Sequence, residues 1–115
     1  MDKAKIRELG RMVSPNGAFM VEAAAAIVVL SEDTKYYLED CSAATQNMLL
    51  AATALGMATC WIAGDKKDYA SDLLSMLGAP NDMRLISILS IGWPKKDTPQ
   101  HKTRTLKDVL HWQKF

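Results

Sequence analysis

The run Leu38-Glu39-Asp40-Cys41-Ser42-Ala43-Ala44-Thr45-Gln46-Asn47-Met48-Leu49-Leu50-Ala51-Ala52-Thr53-Ala54-Leu55-Gly56-Met57-Ala58-Thr59-Cys60-Trp61-Ile62-Ala63-Gly64 decides how this chain is read. Leu38, Cys41, Thr45, Met48, Ala52 and Leu55 recur at three- and four-residue steps, the spacing of one helix face. Ala44, Ala51 and Ala54 widen that stripe, and no charge follows Asp40 until Asp65. A helix so poor in charge is expected to be buried on most sides, with the other elements packed around it. Its small side chains would also let the backbone of a partner chain come close. Gly56 is placed to end the helix as a left-handed cap. Residues 57–62 then read as a short apolar strand, and Ala63-Gly64 as a turn.

Before this run, Ile6, Leu9 and Val13 carry helical spacing among Lys3, Lys5, Arg7, Glu8 and Arg11, which predicts an amphipathic helix over 2–13 with Asp2 as its cap. Ser14-Pro15-Asn16-Gly17 stops it. Residues 18–22 fit either a helical turn or an extended lead-in. Residues 23–30 contain Ile27-Val28-Val29-Leu30, a strand covered on both faces. Ser31-Glu32-Asp33-Thr34 offers cap residues and early negative charge to the long helix.

After the run, Asp65-Lys66-Lys67-Asp68 is expected to open a helix with Tyr69, Leu73, Leu74 and Leu77 inside, ended by Gly78 and Pro80. Residues 83–91 read as a third strand closed by Gly92-Trp93-Pro94. Residues 95–104 form a basic loop. Residues 105–111 are predicted as a short helix capped by Thr105 with Asp108 at the capping-box position, anchored by Leu106, Val109 and Leu110. Helices between strands imply a sheet flanked by helices on both faces. Three strands are few for this much helix, and the exposed sheet edge needs cover, for which another subunit is a candidate.

Composition narrows the function without naming it. The 115 residues suit one domain over residues 1–115, and the net charge of +1 gives no field for nucleic acid. The two cysteines, Cys41 and Cys60, lack metal or redox spacing; they read as structural thiols on buried segments in a reducing, cytoplasmic compartment. The apolar run at 23–30 is too short to span a bilayer, and no signal-peptide pattern opens the chain. No dinucleotide glycine fingerprint, P-loop, nucleophile elbow or zinc motif is present, so no catalytic or metal residue is assigned. His101 and His111 read as surface or packing residues.

Two stretches do suggest a binding site. Small residues at Trp61-Ile62-Ala63-Gly64-Asp65 would leave backbone N–H groups free and let a flat ligand approach. Lys102-Thr103-Arg104, just before a helix start, could clamp a phosphate. A simple turn and a solvated basic loop remain open as the plain alternatives.

Gln46-Asn47-Met48-Leu49-Leu50-Ala51-Ala52, Ala54-Leu55-Gly56, Cys60-Trp61-Ile62, Ile91-Gly92-Trp93-Pro94, Arg104-Thr105-Leu106, Val109 and His111-Trp112 together resemble the second half of the nitroreductase family. The resemblance runs from about Ile6 to Phe115. It implies an α+β fold, a small central mixed or antiparallel sheet flanked by helices, truncated on its N-terminal side. It also implies a homodimeric flavoprotein that binds FMN at the dimer interface, takes a hydride from NADH or NADPH, and passes electrons by a ping-pong cycle to nitroaromatics, quinones or other flat acceptors. By match to the family pattern, Ala63 and Gly64 would offer N–H groups to the flavin ring, Lys102 and Arg104 would hold its phosphate, and the long helix would form the dimer seam. The family's opening arginine-serine-arginine segment has no counterpart here. A flavin-free interaction module is therefore the alternative expectation, and an unrelated domain for a phosphorylated small ligand the third.

Overall fold

A computed structural model describes residues 2–96 and 103–114. Helix α1 spans Lys3–Met12, and the Asp2 carboxylate accepts the Ala4 N–H as its cap. A 3-10 turn at Ala18–Glu22 leads into strand β1, Ala25–Glu32. Helix α2 is Tyr37–Ala54, strand β2 is Ala58–Ala63, helix α3 is Ala70–Leu77 and strand β3 is Met83–Gly92. A 3-10 turn at Leu106–Asp108 follows. The strand order is β1-β3-β2 and both pairings are antiparallel, so the fold is α+β with the last strand in the middle.

The central position of β3 explains its sequence. Leu85, Ile86, Ser87, Ile88, Leu89 and Ser90 are all buried, because both faces and both edges of this strand are covered. Pairing with β1 shifts register where Val29 faces Ser87 and Leu30 faces Leu85, leaving Ile86 as the extra residue of a bulge. Leu85 and Ile88 consequently share one face although they stand three apart. They meet Ile6, Leu9 and Val13 of the first segment, Met20, Ile62 and Leu73 in the main core. Ser87 points the other way, to α2, where its hydroxyl lies 2.8 Å from that of Thr45.

Several expectations need correction. Within one chain α2 is not buried on most sides: only Thr45 and Ala52 are, while Leu50 is 59% and Leu55 68% exposed. The helix rests on the sheet by the middle of its predicted stripe and leaves its alanine faces open. Ser31 and Glu32 do not cap it, because pairing with Arg84 and Met83 draws them into β1. The helix starts instead at Tyr37 with no side-chain cap, and Glu39 and Asp40 supply the early charge. Residues 65–68 are turn, with Lys66 at φ 56°, so α3 begins only at Ala70. Leu73 is fully buried, but Leu77 is 37% exposed. Cys60 is exposed and Cys41 half-buried, both as free thiols.

The helix ends follow the sequence. At Gly56, φ 75°, the Gly56 N–H donates to Thr53 O and the Met57 N–H to Ala52 O, the paired bonds of a Schellman end. Gly78, φ 68°, repeats the pattern, with Gly78 N–H to Ser75 O and Ala79 N–H to Leu74 O.

Candidate functional site

Strand β2 lies at one side of the sheet, so one of its backbone edges has no strand partner. Cys60, Trp61, Ile62 and Ala63 line a cleft of about 220 Å³ together with Val13, Ser14, Asn16, Phe19, Lys67 and Tyr69. Four consecutive strand residues line it because the cleft runs along the open edge. A second cleft of about 230 Å³ continues past Phe19 and Cys60 toward Trp93. Phe19 is 48% and Trp61 38% exposed, which leaves flat aromatic surface available to a ligand. Among the described residues no acid lines the first cleft, and the one cation lining it is Lys67, which makes no ion pair with a described residue. Flat walls, one cation and small polar groups suit a planar ring that carries hydrogen-bond acceptors.

The two turn residues named from the sequence behave differently. Both Gly64 N–H (3.0 Å) and Asp65 N–H (3.3 Å) donate to Ile86 O, so neither is free as expected. Gly64 is small for a packing reason: a Cβ there would meet Leu85 Cγ at 2.5 Å and the Ile86 carbonyl carbon at 3.0 Å. In an antiparallel ladder bonded and non-bonded residues alternate. With Gly64 bonded to Ile86, Ala63 turns its own N–H and C=O to the open edge. The Ala63 carbonyl accepts a hydrogen bond from the Tyr69 hydroxyl. Burial pushes the Tyr69 phenol above its ordinary pKa, so it stays a donor.

On the opposite side of the turn, Tyr37 Oη donates to Asp65 Oδ1 at 3.3 Å. Arg84 lies 5.1 Å from the Tyr37 ring centroid and pairs with Asp33. That guanidinium, through its hydrogen bond and then its charge, holds the Asp33 carboxyl below the usual carboxylate range.

The phosphate clamp is only half visible. Lys102 and His101 lie outside the described residues. Arg104 is exposed and lines neither cleft. The helix predicted after it reduces to the turn Leu106–Asp108. Its capping box is present: Thr105 N–H donates to Asp108 Oδ2 at 2.7 Å and the Thr105 hydroxyl at 2.9 Å. Those bonds, backbone first, draw the Asp108 pKa down. An N–H that could have met a phosphate is thus already taken. The expected anchors are out in solvent, with Leu106 71%, Val109 50% and Leu110 43% exposed. Three residues of turn are too short to return them to the core.

Sequence reasoning missed Phe19, Lys67 and the hydroxyl role of Tyr69. No periodicity marks them; they meet only because the segment after α1 folds back beside β2. Among the described residues no group of three or more His, Cys, Asp or Glu could hold a metal, and no helix is long and apolar enough to cross a membrane.

The sequence model of the Nitroreductase family matches residues 3–93. A protein of Archaeoglobus fulgidus, provisionally named an NADH dehydrogenase/NAD(P)H nitroreductase, is 35% identical over an alignment covering 86% of this chain and 62% of that one. The chain thus spans less than two thirds of that relative's length. Two solved structures share the fold at a TM-score of 0.87 and 24% identity, with 99% of this chain covered. One, from Bacteroides thetaiotaomicron, carries the same provisional name and is covered over 68% of its length. The other is an FMN-dependent nitroreductase of Clostridium difficile, covered over 72%. With three quarters or more of the chain matched by one family and its fold shared, this chain belongs to the nitroreductase family.

Proposed function

We propose that this chain contributes to an FMN-dependent NAD(P)H oxidoreductase of nitroreductase type, acting in the cytoplasm as a homodimer on nitroaromatic, quinone or similar flat acceptors. The observation that carries this reading is the aromatic cleft on the open edge of β2, in a chain of this family. At about 220 Å³ the cleft falls below the roughly 300–1,000 Å³ of pockets that enclose a small ligand. A second copy supplying the missing wall makes such a site complete. Trp61, Phe19 and Ala63 would receive the ring of FMN, and Lys102 and Arg104 its phosphate. Bound FMN would supply the hydride chemistry, in a ping-pong cycle between NAD(P)H and acceptor. The chain's part is to bind, orient and exclude water.

The test is a visible absorption spectrum of the purified protein after incubation with FMN. A flavin band that survives gel filtration, and that Arg104→Ala weakens, is the expected result. Protein that stays colourless and takes up no FMN overturns the proposal.

The alternative reading is a flavin-free interaction module, and one observation supports the interface that both readings need. The chain exposes 8791 Å², against about 6,200 Å² for a folded monomer of 12.7 kDa. An excess on the order of 2,500 Å² suits a large interface whether or not a flavin is held. Stable dimers without flavin or NADH oxidation would select that reading.

A further inference from the structure

The Ala63–Gly64 peptide is pinned at both ends. Its carbonyl oxygen accepts from the Tyr69 hydroxyl, and its N–H donates 3.0 Å to Ile86 O. A third tether reaches the next residue, where Tyr37 Oη meets the Asp65 carboxylate. The two tyrosines come from different places, Tyr37 opening α2 and Tyr69 just before α3, so the exit of β2 is braced from both sides.

Tyr69 also changes what the open edge can recognise. An unpaired strand edge presents N–H donors and C=O acceptors alike. At Ala63 the phenol takes one of the carbonyl's two lone pairs and weakens it as an acceptor for anything else, whereas the N–H of that residue faces outward beside the cleft with its full donor strength. A ligand atom placed against Ala63 is then favoured when it accepts a hydrogen bond, since the carbonyl beside it is already partly engaged.

We propose that Tyr69 is a positioning and specificity-determining residue of the cleft: by hydrogen bonding to the Ala63 carbonyl it fixes this peptide and biases the β2 exit toward donating. The proposal rests on the flavoenzyme reading for the identity of the ligand, but not for the clamp itself. Braced backbone of this kind keeps a recognition group within the small tolerance that productive binding demands. The ring of Tyr69 lines the cleft too, so a Tyr69→Phe change removes the hydroxyl while keeping the wall.

The first measurement is amide hydrogen exchange on the free protein. Tyr69→Phe should speed exchange at Gly64 by roughly five-fold, the equivalent of one ordinary net hydrogen bond, relative to Leu89 in the centre of the sheet. Equal acceleration at Gly64 and Leu89 would mean a general loss of stability and would overturn the clamp; so would no change at either. Tyr37→Phe should loosen Asp65 in the same way, whereas Tyr36→Phe, which removes the hydroxyl of a residue 54% exposed and unconnected to the turn, should leave both unchanged. The second measurement uses FMN as the probe. Freed in Tyr69→Phe, the Ala63 carbonyl can accept from an N–H that reduction adds to the ring, so the reduction potential of bound FMN should rise. An unchanged potential with a loosened Gly64 overturns the specificity role. Wild-type protein that takes up no FMN overturns the flavoenzyme reading and with it that role, while the exchange comparison still decides the clamp.

Discussion

Thr45 has one hydroxyl proton, and it goes to the Cys41 carbonyl 2.7 Å away. The bond to Ser87 must therefore run from the Ser87 hydroxyl to Thr45, in a place where both residues are fully buried. That direction makes the two truncations unequal. Ser87→Ala removes a donor and leaves Thr45 still bonded to Cys41, so it should cost about 1 kcal/mol. Thr45→Val strands the Ser87 proton in the interior and should cost more, within about 1–3 kcal/mol. The double variant should cost less than the sum, since no orphan remains; urea unfolding of the four proteins checks this. Gly64→Ala belongs to the same scale. Its methyl would strike Leu85 and backbone of Ile86, so a loss of roughly 1–3 kcal/mol is expected in the same assay. The identity of Gly64 can be read from the sequence as a need for close approach, but not what approaches. The answer, β3, lies over twenty residues further on, and only the register of the sheet brings it there.

Among the elements, helix ends are legible in the sequence and helix surroundings are not. Gly56 and Gly78 mark C-termini through their own conformational freedom, a local property. At Gly56 nothing lies within 4 Å of where an added methyl would sit, so Gly56→Ala should cost only the left-handed backbone, about 1 kcal/mol. Thermal unfolding should rank it as milder than Gly64→Ala. The start of α2 escapes a local reading because Ser31 and Glu32 suit a cap by type, while ladder pairing claims them. Asp108 is the local case again. Its folded pKa is depressed by Thr105, so its contribution to the 3-10 turn is fully present above about pH 3.9 and lost as pH falls through the lower folded value. A carboxyl titration followed by NMR should show that midpoint below the unfolded one, with Thr105 amide protection lost in step. Thr105→Ala should move the midpoint up.

For the whole molecule, the low charge of residues 41–64 suggests a helix covered by its own chain, whereas within this chain only Thr45 and Ala52 of that helix are buried. One sequence contains no statement of which copy a face will meet. The radius of gyration, 16.3 Å against about 13 Å for a compact domain of this length, carries the same message as the surface excess. If a second copy covers α2, sedimentation should give a dimer, and Leu50→Glu, a charge placed on an exposed part of that helix, should shift the equilibrium toward monomer by about tenfold or more.

The middle strand is also the last of the three described strands to be made. Every rung between β1 and β3 joins residues 51 to 66 positions apart, and every rung between β2 and β3 joins residues 24 to 34 apart. Strands β1 and β2 run in the same direction with a gap between them that only residues 83–92 can fill. On a ribosome, neither of the two pairings described can close until that segment has emerged. Closing this sheet thus waits on distant pairings, the kind of contact that is slow to form.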